Sequence, residues 1–203
     1  MTIIKCSFNI NNISKTLSIR EDKPLLYIIR EEFGLTGTKL GCGLEQCGSC
    51  AVLVDGEKKL TCNALAKDFQ NCKITTIEGL ETDNGLNVVQ NAFKKFNAAQ
   101  CGYCTSGIII SLTSLFNKNP KPTKDEIVSS LEGHLCRCGS HNSIFQAIDS
   151  IKSDAEKTAS QVKSSILTDG KAEIERLTST AKSQINTIEA RVRKQISDYV
   201  VTL

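Results

Sequence analysis

Residues 41–50 read GCGLEQCGSC, and a further cysteine follows at the end of KKLTC, residues 58–62. Cys42, Cys47, Cys50 and Cys62 therefore have the spacing C-x4-C-x2-C plus a distal fourth. Gly41, Gly43 and Gly48 are interleaved with them. A glycine-rich loop turns sharply, reaches positive φ and can aim backbone N–H groups inward. A second quartet lies downstream: Cys101 and Cys104 in QCGYC, then, after 31 residues, Cys136 and Cys138 in LCRCG. Each of its pairs stands just before an expected helix. Free N–H groups and positive partial charge at helix starts favour thiolates.

Clustered thiolates are soft anionic ligands suited to iron and zinc. The first spacing is that of plant-type [2Fe–2S] centres. Zinc ligands come more often as two close pairs, so the x4 gap inside a glycine-rich loop favours the cluster. The second quartet, taken alone, also suits zinc; beside the first it reads as a second [2Fe–2S] site. Eight metal ligands are thus expected: Cys42, Cys47, Cys50, Cys62, Cys101, Cys104, Cys136 and Cys138. Cys6 and Cys72 remain and are expected as small buried core residues.

Around the loop, residues 3–10 and 14–20 alternate apolar and polar side chains across Asn11-Asn12, a hairpin signal. Pro24 and Gly34 bracket a short helix. Residues 51–54, the Asp55-Gly56 turn and Lys58–Cys62 make a second hairpin, and residues 73–77 a last strand. The result is a small mixed sheet with one helix on it. From residue 86 the period becomes helical. Helices are expected over 104–117, after Thr123 with Glu126 completing a capping box, and over 143–151. The expected domains are 1–79, 80–151 and 152–203, with GLETDNG as the linker.

The region from 152 is rich in Ala, Ser, Lys, Glu and Gln, and Asp169-Gly170 is expected to interrupt it. Beyond, apolar residues fall at Ile174, Leu177, Ala181, Ile185, Ile188, Val192, Ile196, Tyr199 and Leu203, in steps of 3, 4, 4, 3, 4, 4, 3, 4. This 11-residue repeat gives 3.67 residues per turn and favours straight or right-handed packing. A narrow apolar stripe on a polar helix wants a partner helix.

Net charge is +3 and Trp is absent. Without a basic block, nucleic acid is not an expected partner. No run approaches a membrane span and the N-terminus does not read as a signal peptide, so a cytoplasmic protein is expected.

GCGLEQCGSC, QCGYCTSG and LEGHLCRCG together resemble the small iron–sulfur subunit of the molybdenum hydroxylases, the xanthine dehydrogenase and aldehyde oxidoreductase family. The likeness covers about residues 1–151 and is nearest in motif to the isoquinoline 1-oxidoreductase and nicotinate dehydrogenase small subunits. It implies an α+β protein: an N-terminal β-grasp plant-type ferredoxin domain, then a four-helix [2Fe–2S] domain, here followed by an amphipathic helical extension. It implies an electron-transfer subunit that relays electrons from a large molybdopterin subunit, which hydroxylates an N-heteroaromatic or aldehyde, to a flavin subunit, cytochrome or ferredoxin. It also implies that Gln100 and Cys138 contact the partner-bound pterin. No residue of this chain is expected to be catalytic in the hydroxylation. Departures are Ser106 where relatives often carry Pro, and CRCGSH where many read CRCTGY. His134 and His141 flank the second quartet and read as solvated or supporting residues. Leu44, Glu45 and Gln46 read as contacts for the acceptor. The tail, in AEIERL and IEARVRKQISDYVV, faintly resembles the peripheral-stalk b subunit of ATP synthases. The alternatives are a free-standing two-cluster ferredoxin, a zinc-stabilised interaction module, and a redox unit tethered by its tail to a membrane-associated assembly.

Overall fold

The computed structural model describes residues 2–83 and 85–201, with side chains as far as Lys194. Asn84 of the expected linker, and Ile196, Tyr199 and Leu203 of the apolar stripe, lie outside the residues whose side chains are described. The chain divides into two compact units, Met1–Ala155 and Glu156–Leu203.

In the first unit, β1 (Ile3–Ile10) and β2 (Ile13–Arg20) form the expected hairpin. Asn11 and Asn12 turn it with φ of 50° and 63°, the left-handed pair that a two-residue hairpin loop demands. β3 (Val52–Val54) and β4 (Glu57–Lys59) form the second, turned by Asp55 and Gly56 at φ of 50° and 86°. β5 (Lys73–Thr75) lies between them, parallel to β1 and antiparallel to β3, giving the order β2-β1-β5-β3-β4. Asn11 ties turn to sheet: its amide donates to Thr76 Oγ1 and its carbonyl accepts the Thr76 N–H, both at 2.9 Å.

After Pro24 the chain makes one α-turn, α1 (Leu25–Tyr27), then a π-helical turn over Ile28–Glu32. Leu25, Ile28 and Ile29 from this segment join Cys6, Phe8, Ile10, Val52 and Ile74 in the core beneath the sheet. This is the β-grasp arrangement. Cys6 is buried as expected; Cys72 is only half-buried, against the edge of that core. The return strand is shorter than the expected Lys58–Cys62. It leaves the sheet after Lys59 so that the Thr61 hydroxyl reaches the Cys50 carbonyl at 2.8 Å, which sets Cys62 beside the cysteine loop.

Helices α2 (Val88–Lys95), α3 (Thr105–Lys118), α4 (Lys124–Leu131) and the start of α5 (His141–Val201) follow. The Thr123–Glu126 capping box is present, with the Glu126 amide donating to Thr123 Oγ1 and the Thr123 amide to the Glu126 carboxylate. A second box, Asn87–Gln90, starts α2. Phe93, Ile108, Leu112, Ile127, Ile144 and Ile148 make a common core that also takes Leu53 from β3 and Ala51 just before it. Sheet and helices are further pinned by Ser114 Oγ on the Gly56 carbonyl at 3.0 Å and Lys58 Nζ on the Ser130 carbonyl at 3.1 Å. One apolar seam, not a loose linker, therefore fixes the two halves of this unit.

The second unit is helical from Glu156 to Val201, and every side chain described in it is exposed. The expected break at Asp169-Gly170 is not there. A glycine inside a helix costs only about 1 kcal/mol relative to Ala, and the Ser165 hydroxyl donates to Asp169 at 3.3 Å within the same helix. Among the described residues no helix is long and apolar enough to cross a membrane.

Candidate metal centres

The loop holding Cys42, Cys47 and Cys50 is shaped by positive φ at Gly43 (70°), Glu45 (57°) and Gly48 (72°). These turns point backbone amides at sulfur. Leu44 and Gln46 N–H face Cys42 Sγ at 3.3 and 3.2 Å, and Cys42 N–H faces Cys47 Sγ at 3.3 Å. Glu45 N–H reaches Cys62 Sγ and Thr61 N–H reaches Cys50 Sγ, each at 3.4 Å. All four sulfurs of the first quartet thus receive an amide. The contact from Glu45 also brings the distal Cys62 against the loop that holds the other three cysteines.

The electrostatics follow from this. Amides of Leu44 and Gln46 hold the exposed Cys42 thiol down at about 7, favouring thiolate. Burial pushes Cys62 up to about 11 despite its amide. A Cβ at Gly41 would stand 2.5 Å from Cys47 Sγ, so only glycine lets the loop close on its sulfurs.

The second quartet converges as well. Cys101, Cys104, Cys136 and Cys138 line one small pocket with Gln100, Ser140 and Ile144. Cys101 and Cys104 sit immediately before α3, and Cys136 and Cys138 before α5. Gly102, between Cys101 and Cys104, and Gly139, directly after Cys138, both bend the chain at φ of 79°. The Tyr103 amide lowers the Cys101 thiol, helped by Cys138. At Cys136 burial works upward, but amides of Ser140 and Gly139 outweigh it and the net shift is down. Burial raises Cys104 to about 11. The Ser140 hydroxyl is buried in this pocket without a partner, a donor suited to a sulfide-bearing group.

Among the described residues no three His, Cys, Asp or Glu side chains surround a single ion position. A two-iron cluster does not require that, because its four thiolates are shared between two irons. Amide-lined sulfur, glycine-only closure and an orphaned donor fit a [2Fe–2S] group at both quartets.

The two sites are adjacent. The Leu135 amide, next to Cys136, donates to the Cys47 carbonyl at 3.2 Å. The Tyr103 hydroxyl, between Cys101 and Cys104, donates to the Leu40 carbonyl. His134 is wedged between Gly48 and Gly107, with Nε2 2.6 Å from Ser111 Oγ and Nδ1 buried without a partner. Burial, then the charge of Lys58, lowers its imidazole to about 4. His134 therefore supports the junction of the two sites, packed on the first loop, whereas His141 is exposed at the start of α5. Tyr103, Ser111 and the wedge role of His134 were not legible in the motifs, because their partners lie 23 or more residues away in sequence. Gln100 is exposed and Cys138 half-buried; Leu44, Glu45 and Gln46 are exposed at the first loop's rim.

Such a molecule is a two-centre electron carrier, and the comparisons agree. Residues 8–83 match the model of the 2Fe-2S iron-sulfur cluster binding domain, and residues 76–149 that of the [2Fe-2S] binding domain. The nicotinate dehydrogenase small FeS subunit of Eubacterium barkeri is 38% identical over 148 residues, covering 73% of this chain and 94% of that one. The isoquinoline 1-oxidoreductase subunit alpha of Brevundimonas diminuta is 40% identical over 134 residues, covering 66% and 88%. The structure of quinoline 2-oxidoreductase from Pseudomonas putida 86 superposes with a TM-score of 0.70 at 36% identity, over 76% of this chain and 97% of that one. Aldehyde oxidoreductase from Desulfovibrio gigas gives the same TM-score at 29% identity, over 76% of this chain and 17% of that one. The chain belongs to the family of small iron–sulfur subunits of the molybdenum hydroxylases, and its task is electron transfer through two [2Fe–2S] clusters.

Proposed function

We propose that Cys42, Cys47, Cys50 and Cys62 hold one cluster and Cys101, Cys104, Cys136 and Cys138 the other. The working division is 1–79, 80–151 and 152–203, the last outside the redox task. Each cluster, once bound, supplies a one-electron redox centre. The protein's own part is to supply thiolates, steady them with amides and hold the centres at fixed separation. The observation that carries this reading is the backbone hydrogen bond from Leu135 to Cys47, which joins a neighbour of one ligand set to a member of the other.

The partner in this reading is a large molybdopterin subunit that hydroxylates an N-heteroaromatic or aldehyde in the cytoplasm. Exposed Gln100 and half-buried Cys138 mark the face that meets the pterin. Exposed Leu44, Glu45 and Gln46 mark the face that meets the acceptor, a flavin subunit, cytochrome or ferredoxin. Support comes from the named relatives, the small FeS subunit of a nicotinate dehydrogenase and subunit alpha of an isoquinoline 1-oxidoreductase.

The test is co-expression with candidate large subunits, followed by stopped-flow absorbance on the purified complex. Substrate should bleach both clusters in the wild type, and Gln100→Ala should slow that bleaching while leaving dithionite bleaching unchanged. Unchanged substrate bleaching in Gln100→Ala would move the pterin face elsewhere. A small subunit that purifies without any large subunit would favour a free-standing ferredoxin.

A further inference from the structure

We propose that the tail helix pairs with the tail of a second copy of this chain, antiparallel, along the stripe Ile174–Val192. The stripe residues Ile174, Leu177, Ile185, Ile188 and Val192 are 45–65% exposed and form an apolar surface on the helix. A sustained exposed apolar stripe marks an interaction surface. Its 11-residue period keeps the stripe on one side of a straight or slightly right-handed pair.

The charges beside the stripe select the partner and its direction. Glu173 and Arg191 are 18 residues apart, which is five turns of 3.6 residues, so they share one flank. Glu175 and Arg193 are likewise 18 apart and share the other flank. In both pairs the signs are opposite. Ile174 and Val192 are also 18 apart, and Ala181 and Ile185 flank the centre of the stripe.

Antiparallel helices related by a two-fold axis at that centre set Ile174 against Val192, Leu177 against Ile188 and Ala181 against Ile185. Identical flanks then face each other head to tail. Glu173 comes beside Arg191 of the second copy and Glu175 beside Arg193, each offset by two residues, about 3 Å, along the axis, and each contact occurs twice. A parallel pair in register would instead gather Glu173 and Glu175 of both copies at one end, and Arg191 and Arg193 at the other. Flanking charges of this kind set partner and orientation in paired helices. Within the lone helix Glu173 already bonds Arg176, but both groups are exposed and the pair can exchange.

The experiment is sedimentation equilibrium on the full chain carrying its clusters, read at a cluster absorbance band. Wild type is expected to be a concentration-dependent dimer. Glu173→Arg with Glu175→Arg places only positive charge at these facing positions and should weaken association at least roughly tenfold. Adding Arg191→Glu and Arg193→Glu to that variant restores both the 173–191 and the 175–193 pair with signs exchanged and should restore the dimer. Far-UV circular dichroism and iron content should be the same for wild type and the fourfold variant. A wild type monomeric at all accessible concentrations would overturn the proposal. So would a double variant that still dimerises like wild type, or a fourfold variant that stays weak.

Discussion

Replacing Gly107 by Ala sets two known effects against each other. In an open helix, Gly→Ala gains roughly 1 kcal/mol. At Gly107, however, the new Cβ would lie under 3.0 Å from the Gly48 carbonyl oxygen and next to His134. That oxygen is backbone of the cysteine loop, whose neighbour Cys47 bonds Leu135, so it cannot rotate aside. Overpacking of this kind costs typically 1–3 kcal/mol and more when backbone must move. The clash exceeds the helix gain, and the net expectation is a loss of about 1–2 kcal/mol. For a folded unit of this size each kcal/mol moves the midpoint by roughly 2–4 °C. Gly107→Ala should therefore unfold several degrees earlier, followed by circular dichroism, with cluster colour lost in step. It should also weaken the magnetic interaction between the reduced clusters, because α3 and the cysteine loop are pushed apart. A variant as stable as wild type or more so would refute the packing of α3 against the loop.

Gly170 is the control. A Cβ there meets nothing within 4 Å, and the residue is in an exposed helix. Gly170→Ala should raise tail helicity and stability by up to about 1 kcal/mol, seen by circular dichroism, with no change in cluster absorbance. Cys42→Ser and Cys136→Ser should each remove one cluster and leave the other, halving iron content and deleting one paramagnetic signal. His134 is held near 4 against an ordinary 6.5. Its folded-state value is depressed, so the unfolded chain takes a proton first as pH falls. Stability is then full above about 6.5 and declines towards pH 4 by at most about 3 kcal/mol. Urea denaturation across that range should show the decline in wild type and a flatter profile in His134→Gln.

Much of this was legible because it is local. Asn11-Asn12 and Asp55-Gly56 announce hairpins through their tolerance of positive φ, and Thr123 with Glu126 announces a helix start. The cysteine quartets are legible through spacing, since a loop of fixed length must return its sulfurs to one point. What escaped is what depends on distant partners. Gly107 is an ordinary helix residue in sequence, and only the fold shows that Gly48 and His134 need its missing side chain. Cys62 peels away from β4 because Thr61 is held by Cys50 of the cysteine loop, whereas pattern alone reads Lys58–Cys62 as one continuous strand. Asp169-Gly170 reads as a break because turn residues usually mark one, whereas the flanking helix-forming residues outweigh a single glycine.

The most direct test of the central claim is iron, sulfide and zinc analysis on anaerobically purified protein, with electron paramagnetic resonance after dithionite reduction. Two [2Fe–2S] centres require about four irons and four sulfides per chain and two distinct rhombic signals. Colourless protein containing zinc, or a single signal with half that iron, would contradict the account.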